Sequence, residues 1–250
     1  MELRVLSYNL RFGGKGRDPL LREVLSSVPF DVVVLQEATR PDTVRRLASR
    51  LGVPHWGARP GRSLGFLSRV PLTGQHWHDR PGVRNGFLEL ELGEPSLVLM
   101  GVHLQPRLSR WNETSRVREL AVLGEIIRSR PGADTPHLIL GDFNTIAPGE
   151  RVPVHRMPAW IRSTIWISGG RIRTDAIQTL LDTGYVDGFR ALHPNRPGWT
   201  FPTASPQVRL DYVFLSPGFP GRLATCRVVR QPASVVPASD HFPLLATLSL

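Results

Sequence analysis

Six short polar clusters, each at the edge of an apolar run, carry the chemistry this chain can do. They are Ser7-Tyr8-Asn9, Gln36-Glu37, Gly101-Val102-His103, Gly141-Asp142-Phe143-Asn144, Arg209-Leu210-Asp211-Tyr212 and Ser239-Asp240-His241. Carboxylates, amides and imidazoles gathered at strand ends, with no serine or cysteine nucleophile prominent among them, suit metal-assisted hydrolysis of a phosphate ester. Glu37 ends the run Val32-Val33-Val34-Leu35-Gln36. A carboxylate at the mouth of a sheet is costly unless it holds something positive. A hard cation with oxygen ligands and retained waters fits, so Glu37 is the first metal-ligand candidate; a solvated strand-end glutamate is the alternative.

In Gly141-Asp142-Phe143-Asn144 the glycine permits a sharp turn, Asp142 is expected to face the site and Asn144 to return to it two residues on, although Asp-x-Asn turns also occur in ordinary loops. His241 has the chemistry to act as an acid or to donate to an oxygen where charge develops. Asp211 is its expected partner, because a carboxylate on one ring nitrogen fixes the tautomer and favours the imidazolium. Asp240 is expected to hold metal or to fix its loop. His103 reads as a phosphate-side donor or as a structural strand-end histidine.

The elements that must position these groups follow from hydrophobic periodicity. Strands are expected over residues 3–8, 31–35, 64–67, 87–92, 97–103, 137–140, 210–215, 224–229 and 244–248. Helices are expected over 19–28, from Pro41 to a stop at Gly52, over 113–128, and over 174–181 with Thr174 or Asp175 as cap. Strands outnumber helices and several are joined by short turns, which argues against a doubly wound parallel sheet. Periodicity alone gives no more than mixed α/β.

The order and wording of the clusters resemble the endonuclease/exonuclease/phosphatase superfamily over the whole chain, from Ser7 to His241. The resemblance implies an α/β sandwich of four layers: two mainly antiparallel sheets face to face, flanked by helices, with the site at one end of the sheet pair, as in deoxyribonuclease I. It implies that Glu37 holds Mg2+ or Mn2+ and that Asn9 orients phosphate or holds metal through water. Asp142 would orient or deprotonate the attacking water, supported by Asn144, and Asp211 would pair with His241. Arg84 and Asn85 stand where the family often places substrate-contacting residues, with solvated surface the alternative for Arg84. Trp199, in Trp199-Thr200-Phe201-Pro202, reads as a loop anchor lining the cleft. Arg11 stands where repair nucleases of the family often carry a second carboxylate. Arg107 and Arg116 follow His103 and are candidates for phosphate binding or for solvated surface.

The chain of 250 residues carries a formal net charge of +10, with Lys15 the only lysine among its basic residues. Arginine is the better bidentate partner for phosphate, so a polyanionic substrate is expected, DNA or RNA first; base composition or growth temperature is the bland explanation. The alternatives are an inositol phosphate, a phospholipid head group or, from another class, an inactive nucleic-acid-binding module. Residues 1–250 are expected to form one domain. Within it, 146–173 is a basic, tryptophan-containing insertion near the active site. That insertion reads as a lid, as a surface for nucleic acid or anionic membrane, or as a helix packed on the core by its tryptophans. Cys226 is the sole cysteine, so neither an internal disulfide nor a disulfide-linked partner is expected. No run reaches the roughly 18 apolar residues of a membrane span, and no signal segment is apparent, so a cytoplasmic monomer is expected.

Overall fold

The computed structural model describes residues 1–157 and 159–250; Pro158 and the side chain of Trp160 lie outside the described residues. In chain order the first half holds β1 (Glu2–Asn9), α1 (Asp18–Ser26), β2 (Val32–Gln36), α2 (Pro41–Leu51), β3 (His55–Ala58), β4 (Gly65–Ser68), β5 (Gly74–His78), β6 (Phe87–Leu92), β7 (Leu97–His103) and α3 (Arg110–Ser129). The second half holds β8 (His137–Asp142), α4 (Ala159–Ile167), α5 (Asp175–Asp182), β9 (Val186–Asp187), α6 (Gly188–Leu192), β10 (Asp211–Leu215), β11 (Arg222–Val228), α7 (Val235–Ala238) and β12 (Leu244–Ser249).

The strands form two six-stranded sheets, ordered β11-β12-β1-β2-β4-β3 and β5-β6-β7-β8-β10-β9. Each sheet contains one parallel pairing, β1 with β2 and β7 with β8, and every other pairing is antiparallel. A parallel pair needs a long crossover, which α1 and α3 supply. Both parallel pairs therefore release their chain ends in the same way: Asn9 lies beside Gln36, and His103 beside Asp142. Antiparallel partners deliver the rest, because Asp211 pairs with Asp142 and the chain entering β12 brings Leu244 beside Ser7.

Period-two alternation divides the strand residues among layers. Val5, Val32, Val34, Leu99, Leu138, Leu140 and Val213 pack between the sheets. Their neighbours Leu6, Tyr8, Val33 and Leu35 face α1 and α2, whereas Met100, Val102 and Ile139 face α3 and α5. Burial on both faces is why Val32–Leu35 is continuously apolar. The helix ends follow local rules. Pro41 opens α2 and Gly52 closes it in the left-handed region at φ 61°. The Ser109 hydroxyl accepts the Asn112 N–H and starts α3 three residues before the position expected from Glu113. Thr174 makes no side-chain cap hydrogen bond.

The insertion folds as a 3-10 turn over Val154–Arg156 and then α4. Met157 and Ile165 pack with Ile146, Val208 and Leu210. Trp166 is 78% exposed, so it does not dock the helix on the core; isoleucines do that instead. The expectation for Trp160 falls on a side chain outside the described residues. Among the described residues, no helix is long and apolar enough to cross a membrane.

Candidate active site

Asp142, Asp211 and His241 are buried together at the end of the sandwich, with ligand atoms within 4.8 Å of one another. The turn after β8 depends on Gly141, at φ 145°: a Cβ there would lie 2.0 Å from the Val102 carbonyl oxygen. Asn144 is also left-handed, at φ 52°. Its backbone N–H donates to Asp142 Oδ1 at 2.9 Å, and its Nδ2 donates to the Leu104 carbonyl at 3.0 Å. The returning asparagine thus clamps the aspartate.

His241 Nδ1 donates to Asp211 Oδ2 at 2.9 Å, and Nε2 faces Asp142 Oδ2 at 3.7 Å. Burial opposes the imidazolium, but the Asp211 and Asp142 carboxylates outweigh it and hold the pKa well above the histidine range. Burial pushes Asp142 up from the carboxylate range, with the His241 charge acting against it. The Asp211 backbone N–H donates to Thr200 Oγ1, while Asp211 Oδ1 is buried with no hydrogen-bond partner among the described residues.

Across the cleft, Glu37 is held at φ 51° immediately after β2. A non-glycine residue in that region is strained, and such strain collects at functional sites. Glu37 Oε2 accepts the Phe12 N–H at 2.5 Å, and Oε1 lies 3.5 Å from Asn9 Nδ2. The same Nδ2 donates to Asp142 Oδ2 at 3.1 Å, while Asn9 Oδ1 accepts the Arg11 N–H. Asn9 therefore presents a donor to both carboxylates and links the two sheets. Ser63 Oγ accepts the Glu37 N–H at 3.0 Å and donates to His103 Nδ1 at 2.5 Å. That leaves a proton on His103 Nε2, 3.7 Å from Asp142 Oδ2. Burial, with the His241 charge behind it, lowers His103 to about 3, so the ring is neutral.

The structure redistributes several expected roles. Asp240 stands at the rim and pairs at 3.6 Å with Arg11, which explains the basic residue where the family often carries an acid. Arg116 is not a substrate arginine. It is buried, bonded to Glu113 Oε2 and donating to the Gln105 and Arg107 carbonyls. Asn85 Nδ2 donates to the His103 carbonyl and so positions that strand end. Trp199 lines a separate cavity with Glu150, Arg151, Arg190 and Arg196. Arg84 and Arg107 remain exposed, Arg107 at φ 75°. Arg107, Asn144 and His241 line a cavity of about 340 Å³ whose other walls include Leu108, Ile161, Phe201 and Leu210.

The supporting residues escape sequence inspection. Glu113 accepts from the Ala176 N–H and Thr145 Oγ1 as well as Arg116, and Glu119 accepts the Arg84 and Gln105 N–H groups. Ser239 Oγ donates to the Asn9 carbonyl and accepts the His241 N–H.

Two sheets closed in this order, with acid, amide and imidazole at the ends of both parallel pairs, meet a sequence model of known family over residues 6–241, described as the endonuclease/exonuclease/phosphatase family. The chain belongs to that family. It is a metal-dependent phosphoesterase family, and its members include nucleases and phosphatases. No curated protein matches the sequence significantly. Among solved structures, an AP endonuclease from Archaeoglobus fulgidus is similar at TM-score 0.78 and 16% identity, covering 99% of this chain and 100% of that one. An endonuclease/exonuclease/phosphatase from Beutenbergia cavernae gives 0.75 and 22%, covering 100% of this chain and 72% of that one. The 3′ phosphatase NExo from Neisseria, bound to a product DNA hairpin, gives 0.73 and 20%, covering 99% and 100%. At these identities the likenesses establish the fold.

The family's divalent ion fits the donors present. Asp211 Oδ1 is a buried acceptor with nothing to accept from, a state that a cation or ordered water relieves. Glu37 has no basic side chain paired with it among the described residues, and carboxylate oxygens are the donors hard cations take.

Proposed function

We propose that the chain hydrolyses phosphodiester bonds in DNA or RNA by direct attack of water. The observation that carries this reading is the buried Asp211–His241–Asp142 array facing Glu37 across Asn9, with both nearby serine hydroxyls already engaged. Ser63 is held between Glu37 and His103, and Ser239 between Asn9 and His241. This reading assigns the attack to water held at Asp142 and Asn144 rather than to either serine, so no covalent enzyme intermediate is expected.

In this reading Glu37 is the main protein ligand for Mg2+ or Mn2+, with Asp240 reduced to a rim group. The bound ion neutralises charge on the scissile phosphate. Asp142, lifted toward neutrality by burial, accepts the proton of the attacking water, since a general base works best near the operating pH. Asn144 holds Asp142 in place and supports the phosphate oxygens. His241, kept cationic by Asp211, stabilises charge on the pentacovalent phosphorus, and His103 donates through Nε2–H. Arg84 and Arg107 receive flanking backbone phosphates, and Arg116 only braces the loop carrying Arg107. Residues 1–250 act as one catalytic unit, with 146–173 beside the site.

A phospholipid phosphodiester is the second reading. It is favoured by the apolar walls of the cavity next to His241. Incubation with plasmid, single-stranded oligonucleotide, inositol phosphates and sphingomyelin vesicles, with Mg2+ and with EDTA, separates the two. Magnesium-dependent cleavage of nucleic acid is expected. Inertness toward every DNA and RNA while a lipid or monoester turns over would overturn the assignment.

A further inference from the structure

We propose that the junction of α3 and α4 is a stacking platform for single-stranded nucleic acid, running outward from the reacting centre. The proposal rests on the nucleic-acid reading above and names the form of substrate. Trp111 is 66% exposed and Trp166 78% exposed. The two chain segments meet where the Arg110 N–H donates to Ser168 Oγ at 3.3 Å. The platform borders the site, since Leu108 of the segment before α3 and Ile161 of α4 line the cavity that reaches Asn144 and His241. Trp166 lies five residues beyond Ile161, about 7.5 Å further along the helix.

Charge points the same way. Residues 104–112 and 151–174 contain Arg107, Arg110, Arg162 and Arg171 among other arginines, and not one aspartate or glutamate. Those four guanidinium groups have no acidic partner among the described residues. They therefore present uncompensated positive charge beside two exposed indoles. A guanidinium forks a backbone phosphate, and an indole stacks any base without reading sequence. An interfacial membrane helix would instead need a continuous apolar stripe. The outer side of α4 breaks that stripe, with Arg162 and Ser163 exposed beside Trp166 and Ile167.

The test measures binding in EDTA, where turnover is absent. The probes are labelled oligothymidylate, a blunt duplex of equal length, and phosphatidylglycerol vesicles, against wild type and Trp111→Ala/Trp166→Ala. Single strand should bind roughly tenfold or more tightly than duplex, and each lost stack should cost roughly 5- to 150-fold in strand affinity. Both residues are exposed, so the thermal midpoint and magnesium-dependent turnover of bis-p-nitrophenyl phosphate should not change. Equal affinity for strand and duplex, or strand affinity untouched in the double variant, overturns the platform. So does vesicle binding that vanishes with the tryptophans while strand binding stays. Nucleic acid that is cleaved with tryptophan-independent affinity sinks the platform alone, whereas nucleic acid neither bound nor cleaved sinks the nucleic-acid reading on which the platform rests.

Discussion

Replacing Asp211 by Asn keeps the shape of the side chain and removes its charge, which isolates what the carboxylate does for His241. The contact is Oδ2 to Nδ1 at 2.9 Å, between groups 1% and 7% exposed. At an effective dielectric of about 20, two unit charges at that distance attract by about 6 kcal/mol. Desolvation of both groups takes back part of this, so about 3–5 kcal/mol should be lost from the transition state. That is a fall of roughly 10²–10⁴ in kcat. The assay is kcat on bis-p-nitrophenyl phosphate and on oligonucleotide at saturating Mg2+, with thermal midpoints run in parallel. At saturating Mg2+ the charge of Asp211 is read as acting through the histidine, so Asp211→Asn/His241→Ala should be no worse than His241→Ala. A loss within threefold for Asp211→Asn, or a fully multiplicative double variant, would refute the reasoning.

The remaining expectations concern metal, scaffold and pH. EDTA should abolish hydrolysis, and Glu37→Gln should raise the Mg2+ concentration needed for half-maximal rate; full activity in EDTA would end the metal-assisted reading. Glu113→Gln leaves buried Arg116 without its counter-charge, so a loss of about 3–5 kcal/mol is expected; at roughly 2–4 °C per kcal/mol the melting point should fall by about 6–20 °C, and a drop under 2 °C would show that the ion pair is dispensable. His137 donates from Nδ1 to the Thr135 carbonyl and accepts the Tyr185 hydroxyl on Nε2, and burial lowers its pKa. The folded state therefore resists the proton more than the unfolded chain, whose histidine titrates near 6.5. Its contribution is present above about pH 6.5 and is lost as pH falls through the lower folded value. Unfolding free energies from pH 5 to 8 should show this slope in wild type, reduced in His137→Gln; identical slopes would refute it.

Sequence legibility followed the geometry of the parallel strand pairs. Asn9, Glu37, His103 and Asp142 stand out because each polar residue interrupts or ends a run that must be apolar to lie between a sheet and a helix layer. The edge strands β3 and β5 were not legible. His55, Trp56, Gln75 and His76 are exposed there, so neither face demands an apolar period. The carboxylates that brace the site were hidden for the opposite reason. Glu113, Arg116 and Glu119 sit in α3 at positions a solvated face would also occupy; Glu113 and Arg116 pair with each other, and most of their other partners are backbone groups outside the helix.

Arg11 shows why a motif departure needs its structural partner before it is read as a loss. In the sequence it removes a carboxylate from the expected metal set. In the fold its guanidinium faces Asp240 at the rim, while its backbone N–H fixes Asn9 Oδ1 and thereby turns Asn9 Nδ2 toward Glu37 and Asp142. The guanidinium thus faces Asp240 at the rim, while the backbone N–H, which any residue but proline would supply at this position, fixes the amide. The centre keeps its three carboxylates, half-buried Glu37 and buried Asp142 and Asp211, and the amide lies between Glu37 and Asp142. Arg11→Asp would add a fifth carboxylate to Glu37, Asp142, Asp211 and Asp240, next to the last of them. Like charges at such spacing disfavour ionisation unless a cation intervenes. The variant should therefore gain affinity for divalent ions as it loses thermal stability in EDTA, a pairing that calorimetric Mg2+ titration and melting would reveal. Unchanged behaviour in both measurements would show that the Arg11–Asp240 pair is a surface contact without influence on the site.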